Sequence, residues 1–311
     1  MRICIVGGGA IGSIVAFHLY RAGVAPIDVY YGSRESVSEI EASNGIIVIY
    51  KGREYLVPVN PRYYREPGYK CDIVVNAVKA YSIKETIDLI RDISYQDTLV
   101  VSLQNGFGSY EYLVEKFGYY RVAIGIVFYG ATRIARNVVR EAGVGEIILG
   151  QRNAVNPLLY DFMELLRRGG CSSRITSNIE WYRWLKLAIN SVINPITAIT
   201  RKPNRVIYEN KYAEKLARMI LEELVEAAKY WDKIEFDLDR LLNYVIRIAR
   251  VTRDNYSSML QDVVNKRRTE IDYINGWITR VLEEMGREKT VNKTIVEIVH
   301  AIESTESGTH G

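Results

Sequence analysis

The chain has 311 residues, 48% hydrophobic and 25% charged, with a net charge of only +4. That length suits about two domains with sizeable cores, and the scattered basic residues make no nucleic-acid footprint. No stretch approaches the roughly 18 uninterrupted apolar residues of a membrane-spanning helix, and no leader pattern stands before the first apolar run, so a cytoplasmic protein without membrane or nucleic-acid partners is expected.

In chain order, the first half alternates. "RICIVG" is a strand that stops at glycine, and "AIGSIVAFHLYRAG" has helical periodicity with Gly23 suited to its end. "PIDVYYG", "CDIVVNAV" and "DTLVVSLQNG" give a second, third and fourth strand, with the helix-like "SIKETIDLIRDI" between the last two. Such alternation predicts an α/β fold with a Rossmann-type doubly wound sheet. "RVAIGIVFYGATRI" and "VVREAGVGEIILG" are expected to extend that sheet. Beyond about residue 156 the pattern turns to amphipathic helices over 156–168, 178–200, 211–231, 237–251 and 268–285, ending in a polar tail, "ESTESGTHG", expected to fray. The boundary falls in the glycine- and serine-rich "RRGGCSSRITSN", giving a nucleotide-binding domain over 1–172 and an all-α domain over 173–311.

Cys4, Cys71 and Cys171 share no short spacing, which implies neither a zinc site nor a disulfide framework. Cys4 and Cys71 read as small core residues. No His, Cys or carboxylate cluster suggests a metal, and His18, His300 and His310 look unrelated to any site.

Gly7, Gly9 and Gly12 form G-x-G-x-x-G between the first strand and the first helix, with Gly8, Ala10 and Ile11 between them. In that context the first glycine makes the turn, the second admits a pyrophosphate and the third lets helix and strand pack closely. The helix N-terminus adds partial positive charge. An NAD-selective site usually ends its second strand with an acid. Here Ser33 and Arg34 follow Tyr31, a hydroxyl and a guanidinium that suit a 2′-phosphate, although Glu35 comes next. NADPH is the expected cofactor, with NADH as the alternative.

"KLAINSVINP" sets Lys186, Asn190 and Asn194 every four residues on an otherwise apolar helix, one polar stripe whose burial without partners would cost several kcal/mol. A lysine there needs an anionic partner or loses its proton, and partial desolvation brings it toward the range of a general acid. The asparagines could bind substrate, cap a helix or join helices, and Pro195 biases Asn194 away from helical geometry. Asn105 ends a strand before Gly106, where open α/β sheets bind ligands and also where Asn-Gly turns occur. Lys79 ends the third strand in the same layer. Ser258 and Glu270 are twelve residues apart and would not share the face of one straight helix, so a break near "NKRR" is expected. Glu270 could equally pair with Arg267 or Arg268.

These motifs together resemble the ketopantoate reductase family. The resemblance is carried by the glycine loop 7–12, "NAVKAY" at 76–81, "LQNG" at 103–106, "KLAINSVINPITA" at 186–198, "PN" at 203–204 and "SSMLQDVVNKRRTEIDYINGWI" at 257–278, and spans essentially the whole chain. It implies a reductase that converts 2-dehydropantoate to (R)-pantoate with NADPH, for pantothenate and coenzyme A biosynthesis. It further implies that Lys186 protonates the keto oxygen while Asn190, Asn194 and Asn204 bind the substrate hydroxyl and carboxylate with help from Ser258. Asn105 would touch cofactor and substrate, Lys79 and Ala131 would lie along the cofactor, and Glu270 would stand near the nicotinamide ribose and the lysine. The middle glycine, Gly8, departs from the pattern without an expected effect on binding. A reductase for another 2-keto acid and a non-catalytic dinucleotide sensor are the alternatives. The long C-terminal helices could offer a homodimer surface.

Overall fold

The computed structural model describes residues 1–142, 145–153 and 155–306. The chain divides into two compact units, one of Met1–Gln104 and Ser109–Ile179, the other of Asn105–Gly108 with the chain from Glu180 onward.

The first unit runs β1 (Ile3–Val6), α1 (Ala10–Arg21), β2 (Asp28–Tyr31), α2 (Arg34–Ala42), β3 (Ile46–Tyr50), β4 (Arg53–Val57), β5 (Asn60–Tyr63) and β6 (Cys71–Asn76). A 3-10 turn (Ala80–Thr86) leads to α3 (Ile87–Asp92), β7 (Ser94–Ser102), α4 (Ser109–Phe117) and β8 (Val122–Val127). Then come β9 (Gly130–Ala135), β10 (Val138–Ala142), β11 (Ile147–Gly150), α5 (Leu158–Arg168) and β12 (Ser173–Ile175). Eight strands form the main sheet in the order β12-β11-β8-β7-β6-β1-β2-β5. All neighbours are parallel except β11 and β8. Its central strands are near-continuous apolar runs because both faces are covered; all four residues of β1 are buried. The chain leaves β1 toward β2 on one side and reaches β6 and β7 on the other, so the order reverses between β1 and β6. At such a switch point the strand ends open a crevice. Strand β12 carries this unit beyond residue 172, to Ile179.

Two expectations for this unit are corrected. Strands β9 and β10 do not extend the main sheet; they join β3 and β4 in a second sheet of order β4-β3-β10-β9, packed against α1. The missing signal was a hairpin: β3 and β4 are joined by Lys51 and Gly52, both at positive φ (49° and 76°). That is the two-residue turn whose twist suits paired strands, made here without the usual Asn-Gly. Residues 143 and 144, inside the stretch read as "VVREAGVGEIILG", lie outside the described residues.

The second correction concerns Cys4 and Cys71, which are joined as a disulfide, their Cα atoms 6.0 Å apart. Neighbouring strands bring them together across 67 residues of sequence, a pairing that short-range spacing does not reveal. Closing a loop of that length is worth about 4 kcal/mol in chain entropy. Thiol titration of unreduced, denatured protein is therefore expected to find one reactive thiol, Cys171. Three would remove the bridge.

The second unit is helical: α6 (Ile179–Thr200, whose first residue belongs to the first unit), α7 (Val206–Glu209), α8 (Lys211–Asp232), α9 (Leu238–Val251), α10 (Ser258–Val264), a 3-10 turn (Ile271–Tyr273), α11 (Asn275–Glu284) and α12 (Val291–Glu306). Side chains cap the helix starts, Asn210 for α8, Asp237 for α9 and Ser257 for α10. The buried carboxylate of Glu223 accepts from the N–H groups of Val291 (2.7 Å) and Asn292 (2.9 Å), placing negative charge at the start of α12.

Three expectations change here. The helix expected over 268–285 starts only at Asn275, after the 3-10 turn. Glu303 to Glu306 of the expected frayed tail are helical, held in α12, while residues 307–311, with His310, lie outside the described residues. Helix α6 continues unbroken through Pro195. Proline removes the donor that Ser191 O would have received, and Asn275 Nδ2 replaces it at 3.0 Å. No helix among the described residues is long and apolar enough to cross a membrane.

Candidate active site

In the first unit, the glycine loop closes the carboxyl end of β1. Gly7 adopts φ +104°, and a Cβ there would stand 2.7–2.9 Å from the backbone of Ala77 and Val78, just past β6. A Cβ on Gly12 would lie 2.1 Å from Gly7 O. Gly9 is the N-cap of α1, and a Cβ on it would meet open space. No side chain caps α1 and no acid lies in its first turn, which begins with Ala10 and Ile11. That leaves the positive end of the helix to whatever sits over Gly9. Gly8 is not incidental: its Cβ would lie 2.1 Å from the Tyr31 ring, and the buried Tyr31 hydroxyl has no partner. Burial pushes that phenol well above its usual pKa.

Beyond β2, Ser33 caps α2 by accepting from Ser36 N (3.2 Å). Arg34 is exposed, paired with Glu66, its guanidinium 4.8 Å from the centre of the Tyr63 ring. Lys79 precedes the 3-10 turn after β6 and is partly buried. Ala131 lies partly exposed on β9.

In the second unit, α6 carries the stripe. Asn190 and Asn194 are buried and Lys186 is partly exposed. Burial disfavours the ammonium form and lowers the Lys186 pKa to about 8. Asn190 Nδ2 donates to Asn105 Oδ1 at 3.4 Å, and Asn105 Nδ2 donates to Glu270 Oε2 at 3.1 Å. A chain of amides thus links the stripe to the carboxylate. The break before Glu270 is real: α10 stops at Val264 and Lys266 has φ +54°. Arg267 pairs with Asp262 and Arg268 with Asp272, so Glu270 meets Asn105 while both arginines have other carboxylates. Asn204 is buried; its Nδ2 donates to Thr252 Oγ1 (2.9 Å) while Oδ1 is buried without a partner. Ser258 is exposed, on the first residue of α10. It is Ser257 that is buried, 2.6 Å from Thr197 Oγ1 of α6. Asn105 is placed by its neighbours Gly106 and Phe107: Phe107 N donates to Tyr273 O (3.0 Å), and a Cβ on Gly106 would stand 2.0 Å from that oxygen.

A family model described as "Ketopantoate reductase PanE/ApbA" matches residues 3–154, and its C-terminal counterpart matches 178–303. The 2-dehydropantoate 2-reductase of Pyrobaculum aerophilum is 35% identical over 304 residues, 96% of this chain and 97% of that one. That of Pyrococcus horikoshii is 33% identical over 309 residues, 99% of each chain. The chain belongs to the ketopantoate reductase family. A solved D-mandelate dehydrogenase with NADH and anilino(oxo)acetate has the same fold, with TM-score 0.92, 24% identity and 98% and 99% coverage of the two chains.

Ketopantoate reductases use a nicotinamide dinucleotide, and the open cradle over Gly9 at an uncapped helix start fits its diphosphate. Sequence reasoning missed two supports of the candidate residues, Asn275 behind α6 and the Tyr31 ring behind Gly8. Pro195 was the available signal for the first, since a proline inside a helix leaves the carbonyl four residues earlier in need of a donor. No local pattern announces the second.

Proposed function

We propose that this protein reduces 2-dehydropantoate to (R)-pantoate with NADPH, the step named by its curated relatives. The observation that carries the reading is the stripe on α6: a lysine of pKa about 8 in line with two buried asparagines, one of them linked through Asn105 to Glu270. A 2-keto acid offers such a stripe a carbonyl oxygen and a carboxylate. When bound, NADPH supplies the hydride for the keto carbon.

Lys186 donates the proton to the keto oxygen. Its lowered pKa makes transfer easier while leaving most of the amine charged at neutral pH. Glu270, which accepts from Asn105, orients that amide beside Asn190. Asn190, Asn194 and Asn204 hold the substrate hydroxyl and carboxylate; the unpartnered Oδ1 of Asn204 can accept from a hydroxyl. The exposed hydroxyl of Ser258 is open to the carboxylate. Gly7 to Gly12 cradle the diphosphate, with Lys79, Ala131 and Asn105 along the cofactor. Ser33 and Arg34 take the 2′-phosphate, for which Arg34 exchanges Glu66 for a phosphate oxygen.

The competing reading is a reductase for a different 2-keto acid, which the same stripe would serve. The test is turnover of a panel of 2-keto acids with each cofactor. We expect kcat/KM for 2-dehydropantoate to exceed the others by about tenfold or more, and Arg34→Ala to raise KM for NADPH while leaving NADH unchanged. Equal turnover across the panel overturns the substrate assignment, and equal losses with both cofactors overturn the role of Arg34.

A further inference from the structure

Glu270 stands between two residues that the last turns of α12 grip. Thr269 N donates to Glu303 Oε1 at 2.6 Å, Glu303 Oε2 lies 3.2 Å from His300 Nδ1, and His300 Nε2 lies 2.8 Å from Asp272 Oδ1. These contacts close a bridge from residue 269 to residue 272, around the carboxylate that accepts from Asn105. Thr269 is buried, and its hydroxyl accepts from Ile271 N at 3.2 Å, which stiffens the segment from within.

Resting on the reductase reading, we propose that His300 and Glu303 are positioning residues that hold Glu270 against Asn105, with doubly protonated His300 as the closed form of the clamp. Both ring nitrogens face a carboxylate oxygen, and only the imidazolium donates from both. The neutral ring would leave one nitrogen lone pair against a carboxylate.

The groups that face His300 are Asp272, from the 3-10 turn, and Glu303, from its own helix, with Arg268 behind Asp272. Among the carboxylates of the other elements packed on α12, Asp262 of α10 pairs with Arg267, Glu283 of α11 with Lys293 and Glu226 of α8 with Arg287, while Glu223 of α8 accepts at the start of α12. Burial alone would pull the His300 pKa down. Its hydrogen bonds to Asp272 and Glu303, and their charges, outweigh that and hold it above the ordinary value. The clamp is therefore complete below about pH 6.5, and it is lost as pH rises through the raised value. Its inflection lies above the ordinary imidazole value and is told from that of Lys186 by its loss in His300→Gln.

The test is steady-state reduction of 2-dehydropantoate by His300→Gln and Glu303→Gln, each alone and combined with Glu270→Gln, with pH profiles and melting temperatures. Glutamine at 303 keeps an acceptor for Thr269 N, so a folded variant is available. Each single change is expected to lower kcat between about tenfold and about a hundredfold, as for a misplaced active-site group. The His300 inflection should vanish from the profile of His300→Gln. In the Glu270→Gln background the same changes should alter kcat less than about twofold, because the group they position is already gone. Equal losses in both backgrounds, or an unchanged profile, overturn the clamp. A wild-type protein that turns over no 2-keto acid overturns the reductase reading instead.

Discussion

Replacing Lys186 with alanine is expected to lower kcat by between about a hundredfold and about ten-thousandfold, the range for loss of a general acid. The fall of its pKa from 10.5 to about 8 amounts to about 3 kcal/mol of bias against the ammonium form. On the proposed role of Lys186 as proton donor, that bias eases the transfer. Because the protonated amine is the active form, kcat/KM should decline as pH rises through about 8. A bound substrate carboxylate favours the ammonium, so the corresponding decline in kcat should lie at higher pH. Lys186→Arg keeps the charge without a titration in this range and should abolish the decline. An alanine variant within tenfold of wild type, or a decline near pH 8 that survives in the arginine variant, takes Lys186 out of the proton transfer.

The second large effect should come from the glycine loop, where neighbouring positions ought to behave differently. Alanine at Gly12 would gain helix propensity of about 1 kcal/mol. Its methyl, however, would stand 2.1 Å from a backbone oxygen that cannot swing aside. Sterics win, and we expect a loss of about 1–3 kcal/mol in stability with NADPH binding weakened by about a hundredfold or more, since the helix start moves away from the diphosphate. Gly9 has ordinary φ of −79° and open space before it. Gly9→Ala should therefore keep the melting temperature and still lose affinity for NADPH, because the methyl occupies ligand space. Calorimetry and cofactor titration of the two variants decide it. Wild-type affinity in Gly9→Ala removes the loop from cofactor binding.

What the chain announced in advance was whatever repeats locally. The glycine spacing needs six residues and the α6 stripe nine, so both could be read without any tertiary contact. The break before Glu270 was legible because twelve residues of helix cannot bring Ser258 and Glu270 to one side. Features built from distant partners were not legible. Cys4 meets Cys71 through strand order, β9 and β10 follow β3 into a second sheet, and Asn105 meets Glu270 across 165 residues. At Ser257 and Ser258 the motif was visible but not which hydroxyl turns to α6; that depends on where α10 begins.

The contact between Asn275 and Ser191 spans 84 residues. During synthesis, α6 leaves the ribosome with the carbonyl of Ser191 bare at the point where Pro195 interrupts its hydrogen bonding. The residue that completes it is made when most of the chain already exists. The two asparagines of the stripe flank that carbonyl, so the face of α6 that carries them gains its last backbone partner only once residue 275 has been made.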